Sequence, residues 1–448
     1  MKKRLISLLL MLCLVAALAA GCGGSNNEGG TSTTAAPQTE SKIVTTTEAK
    51  ETVTTSAPSS VITEETYVLD ATGNKKDYTP LNYKVTKGVW LSQWDASSIF
   101  VTRNVASFKV QMRRVLKTIQ EKGFNTLIVQ VRPYGDSYYP SEFYPESKFI
   151  NGVYGQKKDF DPLKELIALA HEKGVSVHAW INPLRLMNSG EIKDVEDKYL
   201  IRQWFDDPEK NGDYIVEVTT TDETRLYLNP AHEEVRQLII DGAEEICKNY
   251  DIDALHMDDY FYPTTAPSFD AASFAKFNEE DGSLNLPNWR RENVNMLVRG
   301  LYECVKAVDG RILFGISPAG DINSNTSSLY ADVKTWCSEG GYIDYICPQL
   351  YWSFNDQYAK FETSYNSWAR IVTNKNIKLM VGLALYKAGT SGEWKEDPHD
   401  IIKREIETLI SNEDCDGIMV FSYQDIVSTK SAQVAEVDNF VETLKNWK

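Results

Sequence analysis

From about residue 86 the chain alternates between two spacings of apolar residues. Short apolar runs rich in β-branched and aromatic residues occur eight times, and each precedes a longer stretch with apolar residues three and four apart. The first pattern is that of a strand, the second that of a helix with one buried face. Strands one to eight are expected near Gly88–Trp94, Thr126–Arg132, Val175–Asn182, Ala254–Asp258, Leu313–Ser317, Tyr345–Trp352, Lys378–Tyr386 and Gly417–Tyr423. The helices are expected near 103–122, 161–173, 231–249, 289–308, 330–338, 359–374, 398–412 and 431–446. In the second of these, Asp161 is a cap, Pro162 opens the first turn and Gly174 follows the last. Leu163, Leu166, Ile167 and Ala170 form one apolar stripe between them.

Strict strand–helix alternation implies a parallel sheet, and eight repeats with right-handed crossovers favour closure. The fold expected for 78–448 is a single (β/α)₈ TIM barrel of the α/β class. An open, doubly wound sheet is the competing arrangement, but no GxGxxG follows strand one and the chain has no P-loop. The longest insertion, Leu184 to Pro230, follows strand three and contains a hairpin pairing Tyr214–Val218 with Arg225–Leu228. Loops after strands lie on the active face of such barrels, so this insertion should wall the cleft.

The N-terminal part reads differently. Lys2, Lys3 and Arg4 precede an apolar run from Leu5 to Ala20, too short for a comfortable span of ~20 residues, so residues 1–21 read as a secretory signal. Ala19-Ala20-Gly21-Cys22 resembles a bacterial lipobox, with the usual Leu displaced to Leu18. Cys22 is thus the expected lipidation site, ordinary signal cleavage near Ala20 being the alternative. Residues 22–77 are Ser/Thr-rich and read as a disordered tether holding the barrel off the membrane. The expected location is outside the cytoplasm, anchored to the cell membrane through the N-terminal lipid alone.

Composition narrows the partners. A formal net charge of −16 disfavours nucleic acid. Cys247, Cys304, Cys337, Cys347 and Cys415 form no CxxC pair and are odd in number, so buried free thiols are expected. The five histidines form no HxH or HExxH pattern, and the chain has no GxSxG elbow. Neither metal nor cofactor is expected.

Side chains alternate along a strand, so each strand divides into two faces. The inward residues include Ile128, Gln130 and Arg132 on strand two, and Ser176, His178, Trp180 and Asn182 on strand three. They continue with His256 and Asp258 on strand four, Cys347, Gln349 and Tyr351 on strand six, and Gly382, Ala384 and Tyr386 on strand seven. Arg132, Asn182, Asp258, Gln349 and Tyr386 should therefore converge at the C-terminal mouth. Buried polar side chains cost free energy unless they bond each other or a ligand, so this convergence marks either a site or a satisfied internal network. The sharpest segment is Asp258-Asp259-Tyr260-Phe261-Tyr262-Pro263. Paired carboxylates beside aromatic rings suit acid–base work on a sugar. Asp136, one turn beyond Arg132, is a third candidate, while Asp95, Asp321, Asp356, Glu393 and Asp425 read mainly as caps or solvated charges. Stacking platforms are sought among Tyr138, Tyr139, Trp180, Tyr260, Tyr262, Tyr351, Trp352 and Trp394, half of which could simply be core.

These segments resemble the glycosyl-hydrolase-like family 10 of bacterial surface proteins. The resemblance runs through Gly88-Val-Trp-Leu91, Asn125-Thr-Leu-Ile-Val-Gln-Val-Arg-Pro-Tyr-Gly-Asp136, His178-Ala-Trp-Ile-Asn-Pro183 and Leu228-Asn-Pro230. It continues through His256-Met-Asp-Asp-Tyr-Phe-Tyr-Pro263, Gly315-Ile-Ser-Pro318, Pro348-Gln-Leu-Tyr-Trp352 and Phe421-Ser-Tyr423. It implies a TIM-barrel glycosidase acting on a polysaccharide, the characterised members acting on bacterial cell-wall glycan. Asp321 stands where members often have Asn, which removes it from the catalytic candidates. Chitinase-type barrels are a looser likeness through Asp251-Ile-Asp-Ala-Leu-His-Met-Asp258, without their terminal Glu.

Two functions follow. In the first, Asp258 is the acid or nucleophile, Asp259 or Asp136 its partner, and Arg132, Asn182, His178, Trp180, His256, Tyr260, Gln349, Tyr351, Trp352 and Tyr386 bind the sugar. In the second, the chain is a surface glycan-binding lipoprotein without turnover. A metal-dependent deacetylase is poorly served by the sparse histidines.

Overall fold

The computed structural model describes residues 73–448, apart from positions 76, 103, 221 and 222. The signal segment, Cys22 and the tether lie outside the described residues, as far as position 72. The strands are β1 (Thr86–Leu91), β2 (Thr126–Arg132), β3 (Ser176–Ile181), β4 (Ile215–Thr219), β5 (Thr224–Leu228), β6 (Ala254–Met257), β7 (Leu313–Ile316), β8 (Tyr345–Ile346), β9 (Lys378–Ala384) and β10 (Gly417–Phe421). Eight of them close a parallel barrel in the order β1-β10-β9-β8-β7-β6-β3-β2. The expected TIM barrel is therefore the fold. Strands β4 and β5 pair antiparallel as the hairpin of the insertion after β3.

Local chemistry sets the elements where the sequence placed them. Asp161 accepts from Lys164 N at the start of helix Pro162–Glu172, whose Leu163, Leu166, Ile167 and Ala170 are buried. Asn104 caps helix Val105–Glu121 in the same way, through Ser107 N. Strand six is the main departure. Its ladder stops after Ile346, because Pro348 has no N–H to donate, and the chain continues through isolated bridges from Gln349 to Ala319 and Gly382. Among the described residues six further α-helices, of which Gln93–Ile99 after β1 and Ala271–Glu280 after β6 are two, are elements the apolar spacing did not reveal.

The main core lies between strands and outer helices, while Trp90, Ile128, Trp180, Ala254, Tyr345, Cys347, Met380 and Met419 fill the barrel interior. The five described cysteines are free, four of them buried and Cys304 half-buried. The N-terminal floor is sealed by the segment ahead of β1. Lys75 Nζ donates to Tyr250 O at 2.7 Å, and the Tyr78 hydroxyl donates to Asp253 Oδ1 at 2.6 Å. Among the described residues no helix is long and apolar enough to cross a membrane.

Candidate active site

The ladder of β6 ends at Met257, and the next two residues are Asp258 and Asp259. Asn182, just beyond β3, donates its Nδ2 to both carboxyl oxygens of Asp258, at 2.7 and 2.6 Å, and Tyr260 N adds a longer contact of 3.3 Å. Asn182 is held in turn by Gln130, whose Nε2 donates to Asn182 Oδ1 at 2.6 Å, and Gln130 accepts from Gln93 N at 2.7 Å. Gln349 donates Nε2 to Asp259 Oδ1 at 3.1 Å and to Ser317 O at 3.0 Å. Asp259 therefore turns toward the mouth beside its neighbour. Beyond the last ladder residue, the rule of alternating faces no longer applies.

The two carboxyls differ in environment. Asp258 is buried, and that burial, with the charge of Asp259 beside it, pushes it well above the usual carboxylate range despite its bonds. Asp259 is half-buried and is also raised by burial, with the Gln349 bond and Arg185 acting against the shift. The pair cannot readily carry two charges, so the two carboxyls together keep one proton to a higher pH than an isolated aspartate would.

One layer deeper, Tyr345 links two histidines. Its hydroxyl lies 2.8 Å from His256 Nδ1 and 3.0 Å from His178 Nδ1, and Trp90 Nε1 donates to His256 Nε2 at 3.4 Å. With the Trp90 donor fixed, His256 gives its Nδ1 proton to Tyr345 and the tyrosine hydroxyl donates to His178. Burial lowers both histidines, His178 to about 4, so both stay neutral. Gly315 leaves room for the Tyr345 ring, since a Cβ there would lie 2.1 Å from it. His178, His256 and Trp180 thus form a platform beneath the carboxyls, not a lining of the mouth.

Two candidates lie elsewhere. The β2–β3 register skips from Gln130–Trp180 to Arg132–Ile181, so Arg132 takes the outward phase. Its guanidinium stacks at 4.5 Å on Tyr144 and reaches helix Glu233–Asn249 at Gly242, where a Cβ would come within 2.5 Å of it. Arg132 braces the helix layer and does not join the mouth. Asp136 is fully buried within its own loop, accepting from Tyr134 N at 2.8 Å, and burial raises it to about 6. It cannot reach a substrate without the loop opening.

Residues 85–401 match the family described as glycosyl hydrolase-like 10. The chain belongs to that family. Glycosyl hydrolase YngK of Bacillus subtilis (strain 168) is 34% identical over 343 residues, 72% of this chain, which spans 64% of the length of YngK. Glycosyl hydrolase DigH of Escherichia coli (strain K12) is 29% identical over 361 residues, 74% of this chain and 81% of DigH. The solved α-L-fucosidase isoenzyme 2 of Paenibacillus thiaminolyticus shares the fold, with a TM-score of 0.51 at 15% identity over 80% of this chain and 49% of that one. As a member of glycosyl hydrolase-like family 10, the chain falls in the glycoside hydrolase class.

Within this family-10 barrel, the apolar spacing gave no hint of Arg185. It opens the insertion three residues after Asn182 and acts electrostatically on both Asp258 and Asp259. Its guanidinium lies 3.9 Å from the Tyr260 ring centroid and 4.8 Å from that of Tyr134, and its Nη2 bonds Glu223 of the hairpin at 2.9 Å. The available signal was an arginine just past a strand end, inside the insertion. Tyr351, Tyr386 and Phe421 cluster on the far side of the mouth, Tyr351 and Tyr386 edge to face at 5.9 Å. Of the eight platform candidates, Tyr138, Tyr139, Tyr262 and Trp394 are core and Trp180 is interior. Tyr260, Tyr351 and Trp352 remain partly exposed.

Proposed function

We propose that this chain hydrolyses glycosidic bonds in a polysaccharide outside the cytoplasm, namely the glycan strands of cell-wall peptidoglycan. The observation that supports it is the unequal carboxyl pair at the end of β6. Asp258, kept protonated by burial and by its neighbour, gives its proton to the leaving oxygen. Asp259, more open and held by Gln349, stays ionised against the developing positive charge on the sugar; water then forms the new C–O bond at the anomeric carbon in place of the departing oxygen and gives its proton to a carboxylate of the pair. Two carboxyls whose environments separate their roles are what such hydrolysis requires. Tyr260, Tyr351, Trp352 and Tyr386 supply ring faces for the sugar, and Asn182, Gln130 and Arg185 hold the pair in place. The glycan assignment rests on the resemblance of the quoted motifs to family 10, and the membrane anchor rests on the Lys2–Cys22 signal.

The test is incubation of the purified protein with peptide-free glycan strands, with products read by mass spectrometry. Wild type should release shorter saccharides with new reducing ends, and Asp258→Asn should lower the rate by at least ~10²-fold, the lower end of a general acid's contribution. Binding without products from wild type would replace this reading with the non-catalytic one. Cys22→Ala should move the protein from the membrane fraction to the soluble one with the melting temperature of the barrel unchanged. A variant still held by the membrane would refute the lipid anchor.

A further inference from the structure

Among the described residues, the exposed aromatic side chains are Trp94, 60% open, and Tyr358, 69% open. The other exposed large hydrophobic residues are aliphatic. Single exposed apolar residues are ordinary, but both of these stand on loops that leave strand ends at the active face. Trp94 belongs to the short helix that follows β1 and meets Phe149, in the loop after β2, edge to face at 6.1 Å. Tyr358 follows β8 and packs on Trp352 at 6.0 Å. In the closed ring β1, which leads into Trp94, and β8, which leads into Tyr358, lie three strands apart by way of β10 and β9, while β6 is three strands from β1 and two from β8. The two exposed rings and the carboxyl pair therefore stand on three well-separated parts of one rim.

A continuous series of flat groups leads inward from the Trp94 side. Phe149 lies 5.7 Å from Tyr134, Tyr134 lies 4.8 Å from the Arg185 guanidinium, and Arg185 lies 3.9 Å from Tyr260, next in sequence to Asp259. From the other side, Trp352 adjoins Tyr351, which meets Tyr386 at the mouth. Tyr134 and Arg185 are themselves buried and brace the rings on either side, so the faces open to water are Trp94 and Tyr358 at the rim and Tyr260, Tyr351 and Tyr386 at the mouth. Spaced open rings of this kind suit a ligand with repeated apolar faces, as a pyranose chain presents with its C–H faces.

We propose that Trp94 and Tyr358 are outer stacking platforms that hold a linear polysaccharide across the barrel mouth, so that cleavage falls within the chain and not at its end. This deepens the hydrolase reading and rests on it. The platforms confer preference for length: a short saccharide fills the mouth alone, while a long one also covers Trp94 and Tyr358.

The full chain, Trp94→Ala, Tyr358→Ala and Trp94→Phe are compared on peptide-free glycan strands separated into long chains and short oligosaccharides. Binding is read in parallel as retardation in gels cast with the long strands, so the platforms are tested even where turnover is absent. Each Ala variant should raise KM for long chains about three- to tenfold, the size of one lost aromatic stack, with kcat and the short substrates unchanged. Trp94→Phe should recover much of the loss, and early wild-type products should be internal fragments. Cleavage with KM and retardation unaltered in both Ala variants overturns the platforms and leaves the hydrolase standing. Retardation that the variants lose, without cleavage by wild type, leaves the platforms and removes the hydrolase. No retardation and no cleavage removes both. A wild-type dimer that Trp94→Ala dissociates, with glycan retardation unchanged, assigns the exposed rings to self-association instead.

Discussion

Asp253 and Asp258 lie at opposite ends of β6, both buried, and their acidities move in opposite directions. At the floor, burial alone would raise Asp253, but His171 Nε2 at 3.0 Å, the Tyr78 hydroxyl at 2.6 Å, Val177 N at 2.6 Å and Leu81 N all bond it, and the net effect lowers it. At the mouth, Asp258 has the Asn182 amide, one long backbone contact and a like charge next door, and burial prevails. The same residue type in comparable burial is held below its usual range at one end and above it at the other, according to how many donors meet it. In barrels of this kind the N-terminal face serves stability and the C-terminal face chemistry. Here that division can be read in the hydrogen bonds of two side chains five residues apart.

Substitution of each aspartate tests the contrast. Asp253→Ala should cost the most stability, roughly 3–5 kcal/mol, because it strands the N–H groups of Val177 and Leu81 and the Tyr78 hydroxyl without their acceptor. Denaturant unfolding should show the loss while the rate per folded molecule stays near wild type. A comparable loss of rate in the folded fraction would mean that floor and mouth are not separate. With Asp253 lowered, its stabilisation is complete above the unfolded aspartate value of about 3.9 and disappears only as pH falls through its depressed folded value.

Asp258→Asn should reverse this pattern, with a large loss of rate and little loss of stability. Since Asp258 is raised, its favourable contribution is complete below the unfolded value of about 3.9 and is lost as pH rises through its elevated folded value. Asn carries no such penalty, so the variant should gain on wild type in melting temperature as pH rises from acid to alkaline. Parallel melting curves across that range would show that Asp258 does not hold the proton.

The smallest effect is expected from Arg185→Met. Arg185 lowers both mouth carboxyls, so its removal should move the alkaline limb of the pH–rate profile upward, with a rate loss well short of that in Asp258→Asn. A profile unmoved in pH would reduce Arg185 to a brace for Tyr260 and Tyr134.

The barrel was legible because its signals are local. The apolar stripe on Pro162–Glu172, the apolar runs of β2 and β3, and the Asp161 cap each act within a few residues, and all appear in the structure as expected. Asn182 and Asp258 were also legible, since each extends the phase of its strand by a single residue and the two meet at the mouth; Gln349, three residues past its short ladder, is brought there by its bonds to Asp259 and Ser317 O. Arg132 was misread for an equally definite reason. The register skip beside it depends on how β2 pairs with β3, and one skipped residue exchanges the faces. Asp259 was among the candidates, but its turn toward the mouth lies past the last ladder residue, where strand alternation gives no guide. Arg185 and Trp94 escaped because exposure and stacking in loops follow from which loops meet, and apolar period does not encode that.

By itself, then, the sequence determined the repeating strand–helix unit, the closed barrel and the strand ends that carry polar residues. Period, caps and turn residues are short-range physics. Only the tertiary structure decided how differently the carboxyls at the two ends of β6 are held, which arginine faces the site and which rings remain open. Each of these depends on donors, charges and neighbours supplied by segments far apart in the chain.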